Sequence, residues 1–292
     1  MRPLIIDYLQ DALGVTIFEW LIPTPSIIYP VALISVAIVF LKRCNMVGLD
    51  RSVIYTVILI GGVGAFVGAK LFFVIVHYQN YILQPSHIFA TGGTISWGAY
   101  AGAFLAISGY LYTFNKPTLS YLDVLASSIA LGPFIGRWSC FLNGDDYGVI
   151  ANVPWSVQYP FGSIPHAAHV HSGIIGLDSL YSASVHPNQI YLAINGLVLF
   201  IIMTWIWKKV RFYPGLTLGL FVLLYGASRF FIEFFRDETA SSIIPQLNTS
   251  QIYSLFTVCM GGVLLWVVMK PLFATAGIGK RKQQPLKKGE LI

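Results

Sequence analysis

The sequence predicts an all-α polytopic membrane protein with seven transmembrane helices, and three observations predict it. Of its 292 residues, 56% are hydrophobic and only 10% are charged, which is too apolar for an ordinary soluble domain. Apolar runs of about 20 residues recur along the chain, and a helix of that length crosses the hydrocarbon core of a bilayer. Lys and Arg are concentrated in alternate loops, as the positive-inside rule requires.

The seven predicted spans cover residues 27–41, 52–77, 95–114, 121–141, 189–207, 216–235 and 251–269. The basic clusters at 42–51, 116, 208–211 and 280–288 all fall on one side of this arrangement, which we therefore predict to be cytoplasmic. Residues 142–185 contain no Lys or Arg, so we expect them to form an extracytoplasmic loop subdomain. The resulting topology has the N-terminus outside and the C-terminus inside.

We expect one transmembrane domain over residues 1–270, followed by a basic cytoplasmic tail at 271–292. Within the domain, apolar residues recur at helical spacing opposite Asp7 and Asp11, which predicts an amphipathic interfacial helix at about 3–20. The net charge of +6 is concentrated in the loops and the tail. It therefore indicates membrane topology, and no nucleic-acid partner is predicted.

One predicted span carries an unusual charged stripe near its outer end. Tyr225, Arg229 and Glu233 follow one another at a spacing of four, so they share one helical face, and Arg236 continues it. A charge at the centre of a bilayer costs about 2.5 to 3.5 kcal/mol on insertion scales, so such charges usually face a polar cavity and mark a site. The alternative is an internal Arg–Glu pair that only satisfies itself.

A second polar segment, 136–148, follows the fourth predicted span. It places Arg137 near the outer end of that span, and then Asn143 and several glycines permit tight turns. Arg137 and Arg229 thus reach the same leaflet from different helices. Because a planar guanidinium suits bidentate binding of phosphate, we predict that they bind a phospholipid phosphate. The alternative is a loop that merely caps a helix.

Three motifs carry a resemblance to a known family. Residues 136–148 are similar to the pattern Gly-Arg-x-Gly-Asn-Phe-x-Asn-Gly-Glu-x-x-Gly, and residues 186–191 are similar to His-Pro-x-Gln-Leu-Tyr. Residues 214–236 resemble the pattern Pro-Gly…Tyr-Gly-x-x-Arg-Phe-x-x-Glu-Phe-x-Arg, and Tyr29 matches a tyrosine of the first span. All of these patterns belong to the prolipoprotein diacylglyceryl transferase family.

The resemblance implies an enzyme of the bacterial cytoplasmic (inner) membrane with seven spans. Such an enzyme transfers the diacylglyceryl group of phosphatidylglycerol to the lipobox cysteine of a prolipoprotein, without a cofactor or a metal. The residues it implies for phosphatidylglycerol binding are Arg137, Asn143, Gly148, Arg229 and Arg236. The residues it implies for catalysis are Tyr29, Asp145, Arg229 and Glu233, with the choice of base among Tyr29, Asp145 and Glu233 left open.

Four of the departures from the family pattern bear on the chemistry. Trp97 stands where the family has a functional histidine, Cys140 replaces an asparagine, Asp145 replaces a glutamate, and Leu192 replaces another glutamate. A second hypothesis is therefore a relative that binds phospholipid but has lost or altered its transferase activity.

Two further features bear on other functions. Asp123 lies inside the fourth predicted span, and a membrane transporter would use such a residue in an ion path. His166, His169 and His171 are close in sequence, but no Cys, Asp or Glu has the spacing of a metal partner, so no metal site is predicted.

Overall fold

A computed structural model describes residues 24–78, 95–237 and 246–276, and these residues are almost entirely helical between short connections. The helices are α1 (Thr24–Met46), α2 (Arg51–Val76), α3 (Ser96–Thr113), α4 (Thr118–Ile129), α5 (Leu131–Asn143), α6 (Ile164–His171), α7 (Asn188–Val210), α8 (Leu216–Ile232) and α9 (Thr249–Ala276). A 3-10 turn, Glu233–Phe235, extends α8. The predicted interfacial helix at about 3–20 and most of the predicted tail lie outside the described residues.

The prediction of an all-α polytopic membrane protein is confirmed. In the described part of the chain, six helical segments are long and apolar enough to cross a membrane. They are Ile27–Met46, Arg51–Val76, Thr118–Asn143, Asn188–Val210, Leu216–Phe235 and Thr249–Lys270. Helix α3 has 18 residues rich in glycine, serine and tyrosine, and it packs along α2. The count of seven spans and the orientation therefore stay predictions.

The fourth span is broken in its middle, although the sequence predicts one continuous span over 121–141. Helices α4 and α5 meet at Ala130, and Pro133 in the first turn of α5 has no N–H to continue the helical hydrogen-bond ladder. The buried Arg43 of α1 donates from Nη1 to the Ser127 carbonyl, one of the last four of α4, and from Nη2 to Thr204 Oγ1 at 2.6 Å. The break is thus capped by side chains of neighbouring helices.

Helices α2 and α3 form a close hairpin because glycines face one another across it. A Cβ atom on Gly68 would overlap the backbone of Gly98 and Gly102, and a Cβ atom on Gly102 would overlap the backbone of Gly64. Such contacts between small residues allow two helical backbones to approach closely in a membrane. This hairpin carries Trp97 on its α3 side.

Asp123 caps the helix that carries Arg229. Its Oδ2 accepts a hydrogen bond from the Gly215 N–H at 2.6 Å, and its Oδ1 accepts one from the Leu218 N–H at 2.7 Å, at the start of α8. A carboxylate at this position satisfies otherwise unpaired N–H groups and complements the positive end of the helix dipole. Asp123 is therefore occupied by a structural role, and the transporter hypothesis loses the residue on which it depends.

The segment between α5 and α7 is held together by isolated bridges and side-chain hydrogen bonds. Isolated antiparallel bridges join Ile150 and Val157 to Val185. His166 Nε2 bonds the Ser179 carbonyl at 2.7 Å, and His169 Nδ1 accepts from the Ala183 N–H at 3.1 Å. Burial lowers the pKa of His169, so its imidazole is kept neutral. Both histidines thus hold the loop together, and its extracytoplasmic location stays a prediction.

The orientation is tested by labelling an engineered cysteine from outside intact cells. Asp178 is exposed in the loop between α5 and α7, whereas the nearby Ser182 is only 2% exposed and would be a poor probe. We expect Asp178→Cys to react with a membrane-impermeant thiol reagent before lysis. The matched probe Phe212→Cys, exposed in the connection between α7 and α8, should react only after lysis. The reverse pattern of labelling would invert the topology.

Candidate active site

Five charged side chains form one chain of alternating sign at the end of α8. Arg137 Nη1 contacts Asp146 Oδ2 at 2.5 Å, and Asp146 Oδ1 contacts Arg236 Nη2 at 2.5 Å. Arg236 Nη1 contacts Glu233 Oε1 at 2.9 Å, and Glu233 Oε2 contacts Arg229 Nη2 at 2.8 Å. The chain therefore begins and ends with a guanidinium, and its formal charge is three positive against two negative.

Helical spacing accounts for three of the five charged side chains. Arg229 and Glu233 are four residues apart and Glu233 and Arg236 are three apart, so all three point to one side of the end of α8. The predicted stripe is thus observed as a continuous ion-pair network. Glu233 is 1% exposed and both of its oxygens contact arginine, Oε1 through a hydrogen bond from Arg236 and Oε2 through an ion pair with Arg229 that lacks hydrogen-bond geometry.

Arg137 comes from α5 and Asp146 from the loop after it, and the backbone of that loop is shaped to present Asp146. Gly144 ends α5 at a φ of 77°, and Asp146 follows at a φ of 54°. Gly148 then pairs with Arg236 in an antiparallel bridge, where a Cβ atom would lie 2.5 Å from the carbonyl oxygens of His186 and Phe235. Gly148 thus allows the loop to lie directly against the end of α8.

Two side chains at the start of α7 donate hydrogen bonds to the backbone of the same loop. Gln189 is fully buried, and its Nε2 donates to the Asp145 carbonyl at 2.6 Å. Asn188, also buried, donates from Nδ2 to the Asp146 carbonyl at 3.4 Å. These two amides belong to the His-Pro motif, and neither was predicted to be a site residue. Their effect is to fix the backbone that presents Asp145 and Asp146.

The ends of the charged chain are arranged to bind an anion. Arg229 is 5% exposed, and its Nη1 is buried without a hydrogen-bond partner among the described residues. Arg137 and Arg229 stand at the two ends of the ion-pair chain, and no single carboxylate of the described residues contacts both of them. Two like charges with an unpaired buried donor are stabilised by an anion between them. This geometry fits the predicted phosphate-binding pair.

The electrostatics of Asp146 agree with this arrangement. Burial opposes ionisation of its carboxyl group, but the charges of Arg137, Arg236 and Arg229 outweigh burial and hold its pKa below the usual range. Asp146 is therefore ionised at neutral pH. Its position directly after Asp145 gave no local signal of this role, because its two partners are 9 and 90 residues away in the chain.

A second group of side chains lies beside the charged chain. The Tyr29 hydroxyl is 3.8 Å from Cys140 Sγ, and Asn143 Nδ2 donates to Asp145 Oδ2 at 2.9 Å. The other oxygen of that carboxylate, Asp145 Oδ1, is buried without a hydrogen-bond partner among the described residues. The structure thus brings all of the predicted site residues, from Tyr29 to Arg236, to one region.

Within the described residues, Cys140, Asp145 and Asp146 place one possible metal-binding atom each within 4.8 Å of one another. However, both oxygens of Asp146 already contact arginine, and a third guanidinium, that of Arg229, acts on the same carboxylate. So much positive charge disfavours a cation at this position. The carboxylate of Asp146 is better explained as the group that holds the arginines of an anion-binding site in place.

Trp97 packs against Tyr225, a residue of the helix that carries Arg229 and Glu233. Its ring centroid is 6.2 Å from that of Tyr225 and 5.9 Å from that of Tyr253, both in edge-to-face geometry. Tyr225 precedes Arg229 by one helical turn. The position at which the family resemblance places a histidine is therefore adjacent to the site and is filled here by an indole.

A family model described as prolipoprotein diacylglyceryl transferase matches residues 15–267, which include every residue of this site. The chain belongs to the prolipoprotein diacylglyceryl transferase family. A family member of Clostridium tetani, named phosphatidylglycerol–prolipoprotein diacylglyceryl transferase, is 32% identical over 233 residues, covering 78% of this chain and 86% of the relative. Relatives with the same name occur in Ruegeria pomeroyi, 31% identical over 71% of this chain and 72% of the relative, and in Roseobacter denitrificans, 35% identical over 62% and 60%.

Membership in the transferase family confirms the resemblance found in the three motifs. The family match runs from before α1 to the last turns of α9, so it covers the membrane-spanning core as well as the charged chain. The family therefore accounts for the fold and the site together.

Proposed function

We propose that this protein transfers the diacylglyceryl group of phosphatidylglycerol to the lipobox cysteine thiol of prolipoproteins. The observation that carries the proposal is the pair Arg137 and Arg229, the two guanidiniums that end the ion-pair chain, one of which has a buried donor without a hydrogen-bond partner among the described residues. They lie at the predicted outer ends of two spans, where the phosphate of a lipid also lies. Relatives with about 30% identity over most of the chain bear the name of this activity.

The reaction forms one bond and breaks one bond. The thiolate sulfur attacks the glyceryl carbon that carries the phosphate, so a C–S bond forms as the C–O bond to phosphate breaks. Glycerol phosphate leaves with the electron pair, and its charge increases from one negative to two. Interaction with Arg137 and Arg229 is therefore stronger in the transition state than in bound phosphatidylglycerol, which is the condition for catalysis.

Asp145 is the base that the geometry favours for the thiol proton. Both oxygens of Glu233 contact arginine, and the Tyr29 hydroxyl contacts Cys140. Glu233 Oε2 and Asp145 Oδ1 are both buried without a hydrogen-bond partner among the described residues, but Glu233 Oε2 lies 2.8 Å from Arg229 Nη2, whereas no arginine of the described residues forms an ion pair with Asp145. Asp145 also lies beside Asp146 and the arginines that surround it, whose positive charge stabilises a thiolate. In this scheme Glu233 orients Arg229 and Arg236, while Asn143 orients Asp145.

The proposed function also fixes the domain bounds and the side of the membrane from which the substrate reaches the site. Residues 1–270 form the catalytic domain, with 142–185 on the outer side of a bacterial cytoplasmic membrane and the tail 271–292 inside. The prolipoprotein lipobox then reaches the site from the outer side, where its cysteine emerges from the membrane. Neither a cofactor nor a metal is needed, because the displacement uses only the thiol, the base and the arginines.

Complementation tests the function in cells. We expect expression of this protein to restore growth and lipoprotein modification in a bacterial strain depleted of its own transferase. Failure to restore modification, with the protein present in the membrane at normal levels, would reject the proposal. Restoration by wild type but not by Arg229→Ala would tie the activity to the site.

The indole at position 97 gives a separate prediction. Indole donates through Nε1 but does not accept a proton near neutral pH, so the chemistry cannot use Trp97 as a base. We expect Trp97→His to retain or increase the rate of transfer, and Trp97→Ala to lower it through lost packing on Tyr225 and Tyr253. Initial rates with a lipobox peptide measure both variants. Complete inactivation by Trp97→His would show that the indole itself has a specific role.

A further inference from the structure

Asp146 occupies a backbone conformation that few residues with side chains adopt. Its φ of 54° lies in the left-handed region, and only Asn115 among the other non-glycine residues described has a positive φ. Glycine would be unstrained there, yet the position carries a carboxylate whose two oxygens are both used. Strained residues of this kind persist where the surrounding structure over-determines them, and they cluster at functional sites.

The carboxylate of Asp146 contacts two arginines from different parts of the structure. In the described part of the chain, Asp146 is the side chain that accepts a hydrogen bond from Arg137, and it also accepts one from Arg236. Arg137 belongs to α5 and Arg236 follows α8, so one carboxylate joins two separate elements of the site. Through Arg236 and Glu233 the connection continues to Arg229.

We infer that Asp146 is a positioning residue that fixes Arg137 relative to Arg229, the two guanidiniums proposed to bind the lipid phosphate. This inference rests on the proposed function and assigns to the site a residue that the family motif leaves unspecified. Asp146 has no contact with substrate in this scheme; it acts through Arg137 and Arg236. By contributing one negative charge, it also limits the net charge of the five-residue chain to one positive.

The inference predicts a specific kinetic split. Without the carboxylate of Asp146, the net charge of the five-residue ion-pair network rises by one, so a phosphodiester anion should bind as well as before or better. Arg137 would lose its partner, however, and would no longer be held where charge develops on the leaving phosphate. A misplacement of about 1 Å costs on the order of 100-fold in rate. The expected effect is therefore on kcat and not on KM.

Asp146→Asn is the informative substitution because asparagine keeps the shape and tolerates a positive φ. We expect kcat for diacylglyceryl transfer to fall by about 10- to 100-fold, with KM for phosphatidylglycerol unchanged or lower. The matched control is Asp178→Asn, an exposed aspartate of the same loop, which should behave as wild type. A raised KM with an unchanged kcat would overturn the inference.

Asp146→Gly separates positioning from folding. Glycine relieves the backbone strain, so its melting temperature in detergent should be no lower than that of Asp146→Asn, while kcat should fall to a similar extent. In addition, Arg236→Gln combined with Asp146→Asn should lower kcat by much less than the product of the two single effects. Wild-type kcat in Asp146→Gly, or full additivity, would reject the positioning role. Absence of transfer by wild type would instead reject the proposed function.

Discussion

Replacing Arg229 or Arg137 with alanine is expected to abolish diacylglyceryl transfer. Each change removes a guanidinium placed to stabilise the charge that develops on the leaving phosphate. Loss of one such group typically lowers the rate by about 100- to 1,000-fold. The effect should be larger for Arg229, because it is more deeply buried and contributes the unpaired donor. The rate of thioether formation with purified variants is the measurement.

Two comparisons make the arginine prediction specific. Arg229→Lys keeps the charge but not the planar guanidinium, so we expect it to recover only part of the activity. Arg51→Ala removes an exposed arginine at the start of α2, far along the chain from the site, and should leave transfer unchanged. Normal transfer by Arg229→Ala or Arg137→Ala would refute the assignment of the phosphate-binding pair.

Replacing Glu233 with alanine is expected to destabilise the fold as well as to stop transfer. Glu233 is the buried carboxylate between two guanidiniums, and its removal leaves Arg229 buried without a carboxylate partner. Breaking a buried ion pair from one side typically costs about 3 to 5 kcal/mol. We therefore expect a clear fall in the melting temperature of the detergent-solubilised protein, together with loss of transfer.

The matched control for Glu233→Ala is Asp178→Ala, which removes a carboxylate that is exposed in the loop between α5 and α7. Its melting temperature should equal that of wild type. If Glu233→Ala melts at the wild-type temperature and remains active, Glu233 is neither the carboxylate that stabilises Arg229 nor a residue of the active site.

The membrane spans and the charged stripe could be predicted because their signals are local in the sequence. Hydropathy over about 20 residues identifies a span, and a spacing of three or four identifies a helical face. Arg229, Glu233 and Arg236 therefore appear in the structure with the partners that their spacing indicates. The position of Arg137 near this stripe followed from topology, since both were predicted at the outer ends of spans.

The role of Asp146 could not be predicted in this way. Its partner Arg236 is 90 residues away, and the pairing depends on a loop folded back by a bridge between Gly148 and the end of α8. No periodic pattern in a single sequence records such a contact. Asp123 shows the same limit, because a buried carboxylate in a span predicts a functional ion path as readily as the helix cap that it forms.

The break in the fourth span is a different case, because its signal was present in the sequence. Gly132 and Pro133 lie in the middle of the predicted segment 121–141, and proline interrupts the ladder of a helix. Mean hydropathy over the whole segment is nevertheless high enough for one span. The half that follows the break, α5, carries Arg137 and ends at the loop with Asp145 and Asp146.

The most direct test of the central claim is diacylglyceryl transfer by the purified wild-type protein. The protein in detergent would be supplied with phosphatidylglycerol and a peptide that contains a lipobox cysteine, and the peptide would be analysed by mass spectrometry. We predict a mass increase equal to one diacylglyceryl group on the cysteine, stable to thiol reductants as a thioether is, with release of glycerol phosphate. Binding of phosphatidylglycerol by the folded protein without any thioether product would contradict the claim and identify a phospholipid-binding relative that has lost the transferase reaction.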